Sequence, residues 1–116
     1  MGMTRMPGLM QHLTIVEGEA QGLPTLELQG SVDIQSKELL RDHLNRLLAD
    51  GHQKIRVDLA GIDYLGSVGL AVLIEVSKRM RKRGGQLLIA PGPKELRKHL
   101  ALLNLHQVLD FEEPLV

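Results

Sequence analysis

The sequence predicts a single α/β domain in which helices pack against a mixed β-sheet, in the element order ββαβαβαβ. Two segments that alternate apolar and polar residues stand near the start of the chain, and each later strand pattern follows a segment with helical spacing. Helices that alternate with strands favour parallel pairing and right-handed crossovers. The chain has 116 residues, which is enough for one hydrophobic core.

The first part of the chain predicts a β-hairpin. Residues 12–17 and 25–29 alternate apolar and polar side chains, and Leu26 and Leu28 share the inward face. Residues 18–24 contain the glycines and the proline that are typical of a turn. We therefore expect two antiparallel strands joined by that turn.

A helix is predicted after the hairpin. Ser36 is a suitable N-cap, and Asp50 followed by Gly51 provides a stop. An amphipathic helix between these signals would cover one face of the sheet. Its buried stripe consists of four leucines at helical spacing: Leu40, Leu44, Leu47 and Leu48.

The middle of the chain predicts a strand and a long helix. Residues 54–59 alternate again, with Ile55, Val57 and Leu59 on the inner face. Residues 68–83 change to helical spacing, and two consecutive glycines end that helix. The predicted core face of this helix consists of Leu70, Leu73, Ile74, Ser77 and Met80.

The last third predicts a buried parallel strand at residues 86–90, a third helix and an edge strand within residues 108–111. Pro93 fits the first turn of that helix and Asn104 its C-terminal cap. Its core face is expected to consist of Leu96, Leu100 and Leu103. We place the domain at residues 12–113, after a flexible segment at 1–11 and before a tail at 114–116.

Composition excludes several classes of function. The chain has 14 basic and 14 acidic residues, so no net field attracts nucleic acid or an anionic membrane. Cysteine is absent, which excludes disulfides and thiolate metal sites, and the longest apolar run is too short to cross a membrane. We expect a cytoplasmic protein with no cofactor, no metal site, no nucleic-acid partner and no direct membrane insertion.

The segment that says most about function is residues 58–70, where the third strand pattern gives way to a turn and the second helix. Ser67 stands at the predicted start of that helix, beside free backbone N–H groups and the positive end of the helix dipole. Its hydroxyl suits a helix cap, and a phosphate carrying about −1.5 to −2 charges would also be tolerated there. The residues alone leave both interpretations open.

Two enzyme motifs come close to this segment, and each fails at one residue. Residues 61–67 lack the lysine of a phosphate-binding loop, and Asp63 would repel phosphates. A nucleophile elbow needs glycine two residues before the serine, where this chain has Leu65. The five histidines are scattered without the spacing of metal ligands. We therefore expect no enzymatic activity.

A second face of the second helix predicts a surface for a partner. Val68, Val72, Glu75 and Arg79 project together, so two valines would be exposed unless another protein covers them. The basic run at residues 78–83 is interpreted as a solvated helix end, because cations there meet the negative end of the dipole.

Three segments of the chain resemble the STAS domains of bacterial anti-sigma factor antagonists. Residues 28–33, Leu-Gln-Gly-Ser-Val-Asp, resemble the family's Leu-x-Gly-x-hydrophobic-Asp at the end of the second strand. Residues 58–70 resemble its signature Asp-Leu-x-x-Val-x-Phe-hydrophobic-Asp-Ser/Thr-x-Gly-Leu, and residues 84–89 its Gly-Gly-x-hydrophobic strand. The similarity runs over residues 13–111 in the family's element order, so it is more specific than either enzyme motif.

This resemblance implies a switch rather than an enzyme. In the family, the unphosphorylated antagonist binds an anti-sigma factor that is also a serine kinase. Phosphorylation of the signature serine, here Ser67, ends that binding, and a serine phosphatase restores it. Asp33 would lie beside the docking site, and any self-association is expected to be a weak homodimer. The complete set of predicted partner-binding residues is Asp33, Gly66, Ser67, Val68, Val72, Glu75 and Arg79.

Gly66 departs from the family pattern, which has an acid at this position. The missing carboxylate removes a charge and a hydrogen-bond acceptor beside the serine hydroxyl. The alternative interpretation is a STAS subunit of a lipid-transport ABC-type complex, or of another STAS assembly, that works without a phosphorylation switch.

Overall fold

The computed structural model describes residues 13–115 and confirms the predicted α/β class and element order. Five strands and three α-helices follow one another, with a short 3₁₀ helix before the last strand. In chain order the elements are β1 (Leu13–Ala20), β2 (Leu23–Val32), α1 (Lys37–Ala49), β3 (Lys54–Leu65), α2 (Ser67–Lys82), β4 (Gln86–Ala90), α3 (Lys94–Leu102), the 3₁₀ helix (Leu105–Gln107) and β5 (Asp110–Phe111). The predicted flexible segment at 1–11 lies outside the described residues.

The strands form one sheet in the order β1-β2-β3-β4-β5, antiparallel between β1 and β2 and parallel elsewhere. The hairpin confirms the predicted pairing, but its turn is much shorter than predicted, because Ala20 already pairs with Leu23. Gln21 and Gly22 have φ of 56° and 81°, as in a type I′ turn, which suits the twist of paired strands. Residues 16–19 of β1 are all exposed at the edge of the sheet, and the alternation that predicts a strand stops at residue 17, so the end of β1 falls within the predicted turn.

The third strand continues past Leu59 to Leu65, so the turn predicted after Leu59 is wrong. Residues 61–65 pair with the second half of β2, and two register shifts in this pairing break the alternation on which the prediction depends. Glycine permits the close approach here, because a Cβ on Gly61 would lie 2.9 Å from the Cγ of Gln29. The longer strand carries the chain directly into α2.

The core lies between one face of the sheet and the helices. The four leucines predicted for α1 are buried, and so is most of the predicted core face of α2. Gly84, at φ 79°, and Gly85, whose N–H donates to the Met80 carbonyl at 2.7 Å, end α2 as predicted. The strands contribute to this core Leu26, Leu28, Ile55, Val57, Leu59, Leu87 and Ile89.

The end of α3 differs from the prediction. Leu100 is buried, but Leu103 is 48% exposed, so the prediction that Leu103 faces the core is wrong. The reason is that α3 ends at Leu102, and Asn104 then adopts a left-handed φ of 55° that turns the chain away.

The C-terminal residues are tied to the outer face of the sheet. The Arg56 guanidinium donates two hydrogen bonds to Glu112, from Nε at 2.7 Å and from Nη2 at 2.9 Å. Arg97 donates to the Pro114 carbonyl at 2.9 Å, and the Leu115 side chain joins the core. Pro114 and Leu115, which were expected in a tail, therefore pack with the domain.

The Arg56–Glu112 pair is expected to make stability depend on pH. Hydrogen bonds from Arg56 hold the pKa of Glu112 below its ordinary value of 4.5. A carboxyl whose pKa is lowered by folding stabilises the fold above its ordinary pKa, and this stabilisation is lost as the pH falls through the folded-state pKa. Urea titrations between about pH 6 and about pH 3 should therefore show a larger loss of unfolding free energy for wild type than for Glu112→Gln. Glu113→Gln, at an exposed neighbouring position, is the control and should follow the wild type; equal losses in all three proteins would contradict this prediction.

Candidate docking surface at the start of the second helix

Ser67 is exposed and is the first residue of α2. The N-cap position belongs to Gly66, which has φ −79° and ψ 173°, so the prediction that Ser67 itself caps the helix is wrong by one residue. The Gly66 carbonyl accepts hydrogen bonds from the N–H groups of Gly69 and Leu70 at 3.0 and 3.1 Å. Within residues 13–115 the Ser67 hydroxyl makes no hydrogen bond, so it is open to solvent or to a modifying enzyme.

The start of α2 is held against the ends of two neighbouring strands. The Gly66 N–H donates to the Val32 carbonyl at the end of β2, at 3.0 Å. Gly69 is buried in the first turn of the helix, where a Cβ would lie 2.6 Å from the Cγ1 of Val32 and 2.8 Å from the Cδ1 of Leu65. The absence of a side chain at Gly69 lets the helix lie directly on the strands, and this contact positions Ser67.

Asp33 lies one residue beyond Val32, at the same end of the sheet. Its Oδ1 accepts hydrogen bonds from the N–H groups of Gln35 at 2.9 Å and Ser36 at 3.1 Å. The Ser36 hydroxyl instead donates to the Ser31 carbonyl at 2.9 Å and accepts from the Asp33 N–H at 3.0 Å. Ser36 therefore occupies the predicted N-cap position but makes no side-chain capping bond to α1. The Asp33 carboxylate accepts these hydrogen bonds from the turn that precedes the helix.

The predicted exposure of the second α2 face is wrong for its valines, whereas Glu75 and Arg79 are exposed as predicted. Val72 is fully buried, and Val68 is half-buried. Glu75 forms an ion pair with Arg41 of α1 at 3.2 Å, and Arg79 donates to the Asn45 side chain of α1 at 2.7 Å. Helix α2 packs against both α1 and the sheet, so its buried arc is wider than a helix with one covered face would have.

The basic run at the end of α2 makes contacts within the domain. Arg81 donates to the Asp110 carboxylate at 3.1 Å, and Arg83 lies 3.4 Å from the Leu48 carbonyl at the end of α1. These contacts fit the interpretation of the run as a helix end rather than as a site for an acidic ligand.

Three exposed apolar side chains near this end of the sheet were missed by the sequence analysis. Ile34 and Tyr64 are 68% and 57% exposed, in the loop after β2 and near the end of β3. Leu39, in the first turn of α1, is 42% exposed. Ile34 directly follows the motif at residues 28–33 and Tyr64 lies within the motif at residues 58–70, and neither fits the periodic core pattern, which is the signal that could have identified them.

Three features that would indicate another kind of site are a metal-ligand group, a hydrogen bond from Ser67 to a histidine, and a membrane-spanning helix. Between residues 13 and 115, no group of three or more potential ligands could hold a metal ion. Ser67 makes no hydrogen bond to a histidine there, as the serine of a hydrolytic triad would. None of the helices in this range is both long and apolar enough to cross a membrane.

The fold and the surface around Ser67 define a small α/β domain whose distinctive feature is an exposed serine at a helix start. The chain belongs to the STAS domain family, since the model of that family matches residues 16–115. This family is the one that residues 58–70 resemble most specifically.

Curated relatives of the chain include three bacterial proteins. RsfB of Mycobacterium tuberculosis, an anti-sigma-F factor antagonist, is 26% identical over 68 residues, which are 59% of this chain and 56% of RsfB. BtrV of Bordetella bronchiseptica, whose name places it with the anti-sigma factor antagonists, is 33% identical over 89 residues, 74% of this chain and 77% of BtrV. The anti-sigma-B factor antagonist of Bacillus subtilis is 27% identical over 86 residues, 74% of this chain and 78% of the relative. The match thus spans little more than half the length of RsfB.

Solved structures with the same fold include further proteins of this kind. An anti-sigma factor antagonist from Mycobacterium paratuberculosis superposes with a TM-score of 0.75 at 21% identity, covering 85% of this chain and 84% of the other. The unphosphorylated form of the antagonist SpoIIAA superposes with a TM-score of 0.69 at 13% identity, covering 86% of this chain and 89% of SpoIIAA. The phosphorylated form of SpoIIAA from Bacillus superposes with a TM-score of 0.64 at 13% identity, covering 86% of this chain and 92% of SpoIIAA. At these identities the likeness establishes the fold.

Proposed function

We propose that this chain is an anti-sigma factor antagonist of the bacterial cytoplasm. In this proposal it binds a kinase-type anti-sigma factor while Ser67 is unmodified, and phosphorylation of Ser67 ends the binding until a serine phosphatase removes the phosphate. The observation that carries the proposal is the exposed Ser67 hydroxyl at the first position of α2, within the segment that resembles the family signature. The names of the curated relatives support the same function.

The position of Ser67 suits reversible phosphorylation without unfolding. In the first turn of a helix, backbone N–H groups lack acceptors within the helix and the dipole favours negative charge. A phosphate there, with about −1.5 to −2 charges, is compatible with the folded domain. Because Ser67 is exposed and Val68 is half-buried beside it, a partner could reach the hydroxyl without any rearrangement of α2.

The proposed docking surface is smaller than the sequence analysis suggested. It contains Gly66, Ser67 and Val68 at the start of α2 and the loop of Asp33 at the end of β2. A partner that fits a neutral serine closely would meet a bulky dianion after phosphorylation, and desolvating that charge opposes binding. Val72 is fully buried and lies outside this surface. Glu75 and Arg79 are exposed farther along α2, where each contacts α1.

Phosphate mapping tests the modification. The protein is incubated with ATP and each purified kinase-type anti-sigma factor from the same genome, and the phosphorylated residue is located by mass spectrometry. We expect phosphate on Ser67 and none on Ser67→Ala. Ser31→Ala, which changes a half-buried serine at the end of β2, is the control and should be modified like the wild type. Phosphate on another residue, or on none, would overturn the proposed switch.

A binding measurement tests how the switch works. We expect Ser67→Glu to weaken binding of the same anti-sigma factor by at least about 30-fold, which corresponds to about 2 kcal/mol. Ser67→Ala, which removes the hydroxyl without adding charge, should stay within about threefold of wild type. Equal affinities for the glutamate variant and the wild type would contradict the block by charge.

A second candidate function is favoured by Gly66. This position lacks the acid of the family pattern, so the same exposed surface would also serve a STAS subunit that docks on an ABC-type ATPase without phosphorylation. In pull-downs with purified candidates, recovery of the ATPase and no modification of Ser67 by any kinase would favour this alternative.

A further inference from the structure

The ring of Tyr64 lies against the backbone of Gly66. A Cβ on Gly66 would lie 3.0 Å from both the Cε2 and the hydroxyl oxygen of Tyr64, and 3.2 Å from its Cζ. The backbone of Gly66, at φ −79° and ψ 173°, is extended and open to any residue. Glycine is therefore not needed here for its conformation; its missing side chain leaves the space that the Tyr64 ring occupies.

This ring is covered on one side and free on the other. Gly66 is buried although Tyr64 is 57% exposed, so the ring covers the helix start and still presents much of its surface to solvent. Within the described residues the Tyr64 hydroxyl makes no hydrogen bond. Ile34, which is 68% exposed, follows the neighbouring strand end that binds the Gly66 N–H. The serine is thus bordered by exposed apolar and aromatic side chains.

We propose that Tyr64, seated on Gly66, is the specificity-determining contact of the docking surface and that it meets an uncharged, apolar segment of the anti-sigma factor. This inference rests on the proposed function. Exposed tyrosines are frequent binding hot spots, because a large ring loses little conformational freedom when it is covered. Position 66 offers no charge to a partner cation, whereas the ring offers an apolar face with a polar edge.

The geometry can be tested without the partner, because Tyr64 is the one tyrosine of a chain that has no tryptophan. Intrinsic fluorescence therefore reports on this ring alone. Gly66→Ala places a methyl group where the ring lies, and we expect it to raise quenching of the tyrosine emission by acrylamide. Gly18→Ala, where a Cβ would meet nothing within 4 Å, should leave the quenching unchanged. Unchanged quenching in Gly66→Ala as well would overturn the proposed seating of the ring.

The role of Tyr64 in docking is tested by measuring the affinity of Tyr64 variants for the anti-sigma factor that modifies Ser67. We expect Tyr64→Ala to weaken binding at least about tenfold and Tyr64→Phe to stay within about threefold of wild type. Leu102→Ala, at an 82% exposed apolar residue at the end of α3, is the control and should bind like the wild type. A loss in Tyr64→Phe as large as in Tyr64→Ala would contradict an apolar contact.

A double-mutant cycle tests whether Gly66 acts through the ring. Gly66→Ala should weaken binding in the Tyr64 background and have little further effect in the Tyr64→Ala background. Gly66→Asp should bind more weakly than Gly66→Asn if the partner segment is uncharged. Additive losses in the cycle would overturn the proposed pairing.

The outcomes also separate this inference from the function on which it rests. If no kinase-type anti-sigma factor binds the chain, or if Ser67→Glu binds as tightly as wild type, the proposed function fails. If Ser67→Glu blocks binding but a folded Tyr64→Ala binds normally, only the role of Tyr64 fails. Circular dichroism of each variant shows whether it is folded, and Tyr64→Phe and Gly66→Ala provide the test if Tyr64→Ala is not.

Discussion

Gly92→Ala is expected to lower the free energy of unfolding by about 3 kcal/mol or more. Gly92 follows β4 and has φ 81°, a left-handed conformation that an alanine adopts only with strain. A Cβ there would also lie 2.5 Å from the carbonyl oxygen of Leu59 and 2.9 Å from its carbonyl carbon. Because these atoms belong to the backbone of a central strand, they cannot move aside as a side chain would. Urea unfolding followed by circular dichroism measures the effect.

Gly84→Ala is the matched control for this prediction. Gly84 ends α2 with nearly the same φ, 79°, but a Cβ there would meet nothing within 4 Å. The Gly84→Ala variant should therefore lose only about 1 kcal/mol of unfolding free energy, which is the cost of placing alanine in the left-handed conformation. The difference between the two variants measures the cost of the contact with Leu59. Equal losses would show that strain alone accounts for the effect.

Gly69→Val is expected to cost about 3 kcal/mol and to displace the start of α2. The first added carbon alone would lie 2.6 Å from Val32 Cγ1, and the two valine methyl groups add to this overlap. Val32 and Leu65 are both buried, so neither can yield without disturbing the core. Ala71→Val, at an exposed position of the same helix, is the control and should lose less than about 1 kcal/mol.

The Gly69→Val variant also tests whether packing at the helix start affects partner binding. Because Gly69 holds the helix start against the strands, a shift at this residue moves Ser67 and Val68 relative to the end of β2. Under the proposed function, Gly69→Val should bind the anti-sigma factor more weakly even at a temperature where it is folded. If its affinity equals that of wild type in a folded sample, the close contact does not position the docking surface.

The helices and the inner strand faces were predictable because their signals are local and periodic. The leucines of α1 repeat every three or four residues, and Ile55, Val57 and Leu59 alternate, so each set identifies one face without reference to the rest of the fold. The second half of β3 was not predictable in this way. It is a strand because it pairs with β2 across two register shifts, and that pairing joins residues distant in sequence.

The candidate site was predicted in part. Residues 58–70 identify Ser67 from a motif, since a strand, a short segment and a helix start are contiguous in the chain. Which side chains surround Ser67 depends on packing between elements. Val72 is buried because α1 and the sheet both cover α2, and the Asp33 carboxylate is engaged by the N–H groups of the turn between β2 and α1.

Short-range spacing along the chain is enough to predict the α/β class, the order of the elements and the serine on which the proposed function depends. Packing between elements places Ser67 one residue beyond the cap, buries Val72 of the predicted partner face, and seats the Tyr64 ring in the space left open by Gly66. These features could not be predicted because burial and close contact depend on which elements meet, and no periodicity within a single element specifies which elements those are.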